Sequence, residues 1–415
     1  MIKARGRKLK RIAVMIILVL ILLPISTTVF AANLTSDWTL AIFLDSDNNL
    51  DLWAQKDLNE MMAVGSTPSM NIIVYWDRYD GPAHCYKVVK DNLIELKDSK
   101  LNGIEPNMGD PMTLREFVKY AYGKFPARKH AILCFDHGDD FRGCMYDEHI
   151  PFEGFDLLTH QEVVTALSNF KIDVLIYSAC VLSTIEVAYE YYASGLDINY
   201  YVANEGYDPM DGFPYDQILS RLKAQPNIEP FELSRIFVDE YIDYYTYTGK
   251  AYSQAVTLSV TKINEIGKVT SDTKNMVQAI EQDMQGYTGI VSDARGQANL
   301  PWSENGWERL IDLQTFVKTI HNESLKPENT KNIEPTVKNA VLSSSAALLT
   351  SLSNAIVYHR NTPAMEKAGC KGICVYFPTS QGSYQNNKNL YGSLYETMKF
   401  AGEGWLGFLN AYWST

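Results

Sequence analysis

Six cysteines in 415 residues are too few and too scattered to form a disulfide scaffold. Cys85, Cys134, Cys144 and Cys180 stand apart, and only Cys370 and Cys374 fall close together. Zinc is poorly served as well. Cys134, His137 and Cys144 mimic ligand spacing, but Cys134 lies inside an apolar strand pattern whose alternation turns it away from His137. No second pair follows at finger spacing, and no metal site is read. A basic surplus is also missing: 37 basic against 49 acidic side chains give a formal charge of −12, which argues against nucleic acid as a partner. Internal repeats and low-complexity tracts are absent, and no linker marks independently folding halves. What remains is an ordinary globular composition, 46% hydrophobic, 21% charged and 12% aromatic, with ample length for a large core.

The amino terminus is a separate object. Lys3, Arg5, Arg7, Lys8, Lys10 and Arg11 precede an uncharged apolar run, Ile12 to Ile25, and a small-residue exit, Val29-Phe30-Ala31-Ala32. That order is a secretory signal peptide over residues 1–31. The run is short for a membrane span, and Val29 and Ala31 suit a signal peptidase. Cleavage leaves 31 basic against 49 acidic side chains, a formal charge of −18. The body of the chain is then secreted; an uncleaved segment would be its attachment to a membrane.

Beyond it, strands and helices alternate. Trp38–Leu44, Asn71–Trp76, His130–Gly138, Ile172–Cys180 and Ile198–Ala203 read as strands, and His84–Leu96 as a hairpin. Helices are expected over Leu52–Val64, Thr113–Phe125, Thr159–Phe170 and Ser183–Ser194, the second and third opening on capping boxes, Thr113 with Glu116 and Thr159 with Glu162. This is the pattern of an α/β fold, a mostly parallel sheet flanked by helices. From about Pro226 the texture turns helical, with Glu232–Tyr245, Val269–Met284, Trp307–His321 and Val337–Val357 helical and Ser253–Val260 and Gly372–Phe377 strand-like. The expected organisation is a catalytic domain over 32–225 and an α-rich part over 226–415 that packs on it and returns at least one strand to the sheet.

Two buried-strand patterns end at reactive side chains: HAILCFDHG at His137 and IDVLIYSAC at Cys180. Ligands of open α/β sheets sit beyond the carboxyl ends of the strands, so neighbouring strands would bring an imidazole and a thiol together there. That pair is the minimal kit for covalent attack on a carbonyl. Gly138 would let a backbone amide approach a developing oxyanion, the amide of Cys180 would be the second donor, and a helix starting just after Cys180 would favour thiolate. A buried structural cysteine beside an unrelated histidine is the competing reading.

The stretches WTLAIFLDSDNNLD (Trp38–Asp51), MGDPMTL (Met108–Leu114), FDHG (Phe135–Gly138), ACVLSTIEVAY (Ala179–Tyr189), DPMDGFPYDQIL (Asp208–Leu219) and VYFP (Val375–Pro378) together resemble the clostripain family of cysteine peptidases. The resemblance covers nearly the whole mature chain. It implies a caspase-like fold, a dyad of His137 and Cys180, cleavage through a thioacyl intermediate, and Gly138 and Cys180 amides as oxyanion donors. It also implies cleavage after arginine or lysine through acidic pocket residues, of which Asp208 is one. The second acid, two residues before the nucleophile, is replaced by Ser178, so basic specificity rests on Asp208 alone and is weakened or shifted. Activation by cleavage between histidine and cysteine would fall at Arg142, in an accessible glycine-containing loop, rather than at Lys171 beside the buried strand.

The run Asp45-x-Asp47-x-Asn49-x-Asp51 lacks the glycine and terminal glutamate of an EF-hand and reads as a strand-end turn with helix capping. The resemblance implies a calcium-requiring class, with no site identified here, and no organic cofactor. The sequence therefore points to a secreted, monomeric endopeptidase acting on proteins or peptides. The alternative is a caspase-like binding scaffold without turnover.

Overall fold

The computed structural model describes residues 35–151, 154–247, 255–300 and 309–415; the expected leader over 1–31 lies outside the described residues. Among the described residues thirteen strands are formed: β1 (Ser36–Ser46), β2 (Met70–Arg78), β3 (His84–Val89), β4 (Asn92–Glu95), β5 (Ala127–Phe135), β6 (Cys144–Asp147), β7 (Asp156–Leu158), β8 (Lys171–Ser178), β9 (Asp197–Ala203), β10 (Thr257–Lys262), β11 (Leu310–Asp312), β12 (Ile356–Asn361) and β13 (Cys374–Tyr376). Nine of them form one sheet, in the order β12-β10-β9-β8-β5-β1-β2-β3-β4. Its centre, β9 to β2, is parallel, and antiparallel strands extend both edges.

The central strands are apolar at nearly every position because both faces are covered. Phe43, Tyr75, Cys134, Leu175 and Tyr177 feed one core. Ile42, Val74, Leu133 and Ile176, their alternate neighbours, feed the other. Helices Pro111–Lys124, His160–Leu167, Ile185–Ala193 and Ile266–Glu281 bury residues in the first core. Helices Asp51–Val64, Tyr215–Ala224 and Pro230–Tyr247 close the second. Leu175 is fully buried in a central strand, so truncating it to alanine costs about 2–5 kcal/mol. Among the described residues no helix is long and apolar enough to cross a membrane.

Local signals held unevenly. Thr159 and Glu162 form the expected capping box, with the Thr159 N–H donating to Glu162 Oε2 at 2.9 Å and the Glu162 N–H donating to Thr159 Oγ1 at 3.3 Å. Thr113 and Glu116 do not. That helix begins at Pro111, whose fixed φ suits the first position, and Asp110 is the cap, accepting from the Met112 N–H at 2.8 Å. Leu52, the apolar residue that opens the expected first helix, is 80% exposed.

In the second half, β10 and β12 join the large sheet. β12 follows directly on helix Pro335–Ala355, where the sequence read helix through Val357. The strand-like Gly372–Phe377 instead yields β13, paired with β11 in a separate ribbon. β11 occupies residues read as the start of a helix, which begins at Leu313 with Asp312 capping the Thr315 N–H at 2.6 Å. Trp307 and Glu308, the first residues of that expected helix, lie outside the described residues, as do Ser253 and Gln254 of the expected Ser253–Val260 strand.

Candidate active site

β5 and β8 are adjacent and parallel, with Phe135 opposite Ser178. His137 and Cys180 each lie two residues past that pair, so they leave the sheet at the same edge. The ladder continues one step as the Asp136 N–H donates to the Ser178 carbonyl at 3.2 Å. The two loops then meet at Gly138. A Cβ there would sit 2.3 Å from the Cys180 carbonyl oxygen and 3.0 Å from its nitrogen, a separation only glycine permits. His137 and Cys180 are both half-buried, so neither is sealed in the core.

Asn49 holds the imidazole. Its Oδ1 is 2.8 Å from His137 Nε2, and an amide oxygen can only accept. The network therefore assigns the proton to Nε2 and leaves Nδ1 with its lone pair. Asn48, the preceding residue, donates through Nδ2 to Asp136 Oδ1 and to the Tyr146 carbonyl, both at 2.8 Å. The turn after β1 is thus tied to the loop that carries His137. Burial pushes the His137 imidazole below its ordinary value, against a smaller opposing pull from the Glu148 charge. Asn49 was read from the sequence only as part of a turn and cap cluster. Asparagine is so common in turns that nothing local marks this one.

Burial pushes the Cys180 thiol up to about 12; the Asp208 N–H bonded to the sulfur lowers it, and the Asp208 and Asp136 carboxylates raise it. The expected aid from a helix dipole is missing. Helix Ile185–Ala193 starts several residues later, with Thr184 as its cap accepting from the Val187 N–H at 3.2 Å, and the dipole acts only close to the first turn. In between, Val181 adopts φ 50°. Its N–H donates to the Gly206 carbonyl at 2.7 Å and to Asn204 Oδ1 at 3.0 Å.

Ser178 and Asp208 are brought together: Ser178 Oγ donates to Asp208 Oδ2 at 3.1 Å. Tyr241, from helix Pro230–Tyr247, donates to Oδ1 at 2.6 Å. Burial lifts the Asp208 carboxyl to about 6, with the two hydroxyl donors pulling it back. A second carboxylate lies in the same neighbourhood and was not anticipated. Asp57 is fully buried on helix Asp51–Val64, and neither of its oxygens has a hydrogen-bond partner. Lys56 Nζ stands 3.9 Å from Oδ1, and Asp57 Oδ2 lies 2.9 Å from where a Cβ on Gly212 would be. Burial raises the Asp57 carboxyl strongly; Lys56 opposes this, and the Glu60 and Asp208 charges add to it. A polar residue on an otherwise apolar helix stripe is the sequence signal that could have found it.

Arg142 does not occupy the accessible loop expected of a processing site. It is 4% exposed, in a short turn over Asp140–Arg142, with Nε 3.3 Å from Asp140 Oδ1 and a second contact to Asp139. Arg309 reaches the same turn, its Nε donating to Asp140 Oδ2 at 2.9 Å. The paired acids at 139 and 140 account for the burial of both guanidinium groups.

A sequence profile of the clostripain family matches residues 42–412. The chain is 25% identical over 411 residues to clostripain of Hathewaya histolytica, covering 83% of this chain and 75% of that protein. Its fold is similar to that of a secreted C11 cysteine protease from Bacteroides thetaiotaomicron, solved with an irreversible peptide inhibitor (TM-score 0.65, 18% identity, 89% of this chain and 99% of that one). It is also similar to an inactive zymogen C11 protease from Parabacteroides distasonis (TM-score 0.58, 17% identity, 89% and 98%).

Proposed function

The chain belongs to the clostripain family and is a cysteine peptidase, and from that premise we propose that His137 and Cys180 are the catalytic pair of an exported endopeptidase. The observation that carries the pairing is the register of β5 on β8 together with the contact of Gly138 on Cys180. With the thiol raised and the imidazole lowered, both groups are neutral in the free enzyme near pH 7. Attack then couples two events: Sγ bonds to the scissile carbonyl carbon as its proton passes to Nδ1 of His137. The imidazolium gives that proton to the leaving amine as the C–N bond breaks. Water, activated by the same nitrogen, hydrolyses the thioester and restores the thiol. The amides of Gly138 and Cys180 receive the oxyanion, and Asn49 keeps Nε2 protonated and the ring oriented.

Asp208 receives the side chain preceding the cut, and that side chain is basic. Its two oxygens already take hydroxyl bonds from Ser178 and Tyr241, and each retains capacity for a charge-assisted bond from a guanidinium or ammonium. Asp57 offers the second carboxyl group that Ser178 cannot, at a different position in the chain; burial holds it toward its neutral form, and a basic side chain entering beside it would favour the ionised one. Export is supported by the signal-like amino terminus and by the description of the Bacteroides neighbour as secreted.

Covalent labelling tests this reading. Peptidyl acyloxymethyl ketones ending in lysine or arginine should label the reduced, folded protein faster than one ending in leucine, and Cys180→Ala should remove all labelling. Absence of labelling by every probe would instead support a caspase-like scaffold without turnover.

A further inference from the structure

Asp208 meets Cys180 in two opposed ways. Its backbone N–H donates to the sulfur at 3.3 Å, a bond that favours thiolate because it aims a positive hydrogen at the charge. Its carboxylate works against that bond, since one negative charge disfavours a second beside it. Burial is the largest cause of the raised Cys180 thiol; the Asp208 N–H opposes it, and the Asp208 and Asp136 carboxylates add to it. The two ends of one residue thus pull the sulfur in opposite directions.

Neither end can retreat. The segment that leads to Asp208 runs along the peptide that follows the nucleophile: the Val181 N–H donates to the Gly206 carbonyl at 2.7 Å, and the Ser183 N–H to the Asn204 carbonyl at 2.8 Å. The carboxylate is fixed as firmly. Ser178, two residues before Cys180, donates to Oδ2 at 3.1 Å, and Tyr241 donates to Oδ1 at 2.6 Å. Both oxygens are held by neutral hydroxyls, which orient the charge without cancelling it. Burial lifts this carboxyl only to about 6, so it is largely ionised at neutral pH. Asp136 is out of reach of a ligand by contrast: it is buried and accepts from Asn48 Nδ2 at 2.8 Å and from the Tyr146 N–H. Asp208 is only partly buried, so its charge is the one an incoming group can neutralise.

We propose that Asp208 couples recognition to reactivity: a basic side chain bound at its carboxylate cancels the charge that suppresses Cys180 and leaves the backbone N–H to stabilise the thiolate, a coupling that rests on Asp208 being the pocket acid and Cys180 the nucleophile. In the complex the proton then passes from Sγ to Nδ1 of His137 at lower cost. Specificity is expressed twice. A basic residue lowers KM through its contact with Asp208 and raises kcat by unmasking the sulfur, whereas a neutral residue meets a suppressed nucleophile even when it is held in place. Between substrates the sulfur stays protonated, which also slows its oxidation outside the cell.

The test uses the full folded, reduced chain and a probe that carries a cation but no peptide. Saturating methylguanidine, at matched ionic strength and neutral pH, should accelerate alkylation of Cys180 by iodoacetamide about two- to fourfold, the scale of removing one partly screened charge less the weaker nucleophilicity of a more acidic thiol. Peptide mass mapping isolates Cys180 from the other five cysteines, which are buried. Acetamide, neutral and similar in size, should have no effect. Asp208→Asn should alkylate faster than wild type by a similar factor with nothing added, and should no longer respond to methylguanidine. The wild-type measurement stands by itself if that variant does not fold. Methylguanidine that slows labelling by a lysyl ketone, yet leaves alkylation unchanged or slower, overturns the coupling and spares the pocket. Folded Asp208→Asn that alkylates no faster than wild type overturns it as well. Methylguanidine that fails to compete with the lysyl ketone removes the pocket reading beneath the coupling, and absence of ketone labelling at Cys180 removes the catalytic one.

Discussion

The backbone N–H of Asp208 donates to the sulfur of Cys180 at 3.3 Å. The residue proposed to recognise substrate thus also touches the proposed nucleophile, and it places a carboxylate near a thiol already penalised by burial.

The protonation state follows. With the thiol lifted to about 12, alkylation of Cys180 by iodoacetamide in the free enzyme should be slow at pH 7 and climb steadily through pH 9, because only thiolate reacts. A plateau by pH 7 would instead reveal a preformed thiolate–imidazolium pair. The pH dependence of kcat/KM has the opposite origin. His137 must be neutral to take the proton, and its value lies below the ordinary imidazole value of about 6.5. Activity should therefore be full at neutral pH and fall only at a pH below that ordinary value, as the ring protonates.

If His137 is the base, Asn49, at 2.8 Å from its Nε2, is a positioning residue. Asn49→Ala should lower kcat about 10–100-fold with little change in KM, the usual scale for losing a group that orients a functional imidazole. Asn49→Asp should keep the ring in place but stabilise its protonated form, moving the acid limb of the pH profile to higher pH. A rise in KM with unchanged kcat and an unmoved profile would show that Asn49 serves only the turn.

Specificity separates two acids. Asp208→Asn should cut labelling by a lysyl ketone roughly 10–100-fold relative to a leucyl ketone, the scale of one charge-assisted contact. Ser178→Asp should raise the same ratio, and Asp57→Asn should lower it while leaving leucyl labelling intact. Equal effects on both probes would place these residues in the general architecture rather than in the pocket.

Gly138→Ala should be nearly inactive, by about 100-fold or more, since its Cβ would displace the Cys180 backbone from the proposed oxyanion site. Far-ultraviolet circular dichroism should remain native, because the clash is confined to two loops beyond the sheet.

The sheet was readable because covered parallel strands must be apolar throughout, and Ile172 to Ser178 could hardly be anything else. Neighbouring positions of His137 and Cys180 followed from strand-end geometry, although both strands stop at Phe135 and Ser178, two residues short of the reactive groups. Caps and returns were harder. Asp110 displaced Thr113 because Pro111 pre-set the first turn, and β12 took residues with helical periodicity because an antiparallel edge beside β10 was available. Asn49 and Asp57 escaped notice for one shared reason: each meets partners distant in sequence, His137 for one and Gly212 for the other, and their spacing carries no trace of it. Arg142 looked accessible because glycine-rich loops generally are, whereas two neighbouring aspartates draw its charge inward.

Val181 keeps a left-handed backbone angle that a β-branched side chain resists, restrained by a forked bond from its own N–H. Roughly 1–3 kcal/mol of tension therefore sits one peptide unit from the proposed nucleophile, Cys180. On gentle warming this joint is where the chain should slip first. Turnover is expected to fade while the surrounding sheet still resists melting, and to return on cooling.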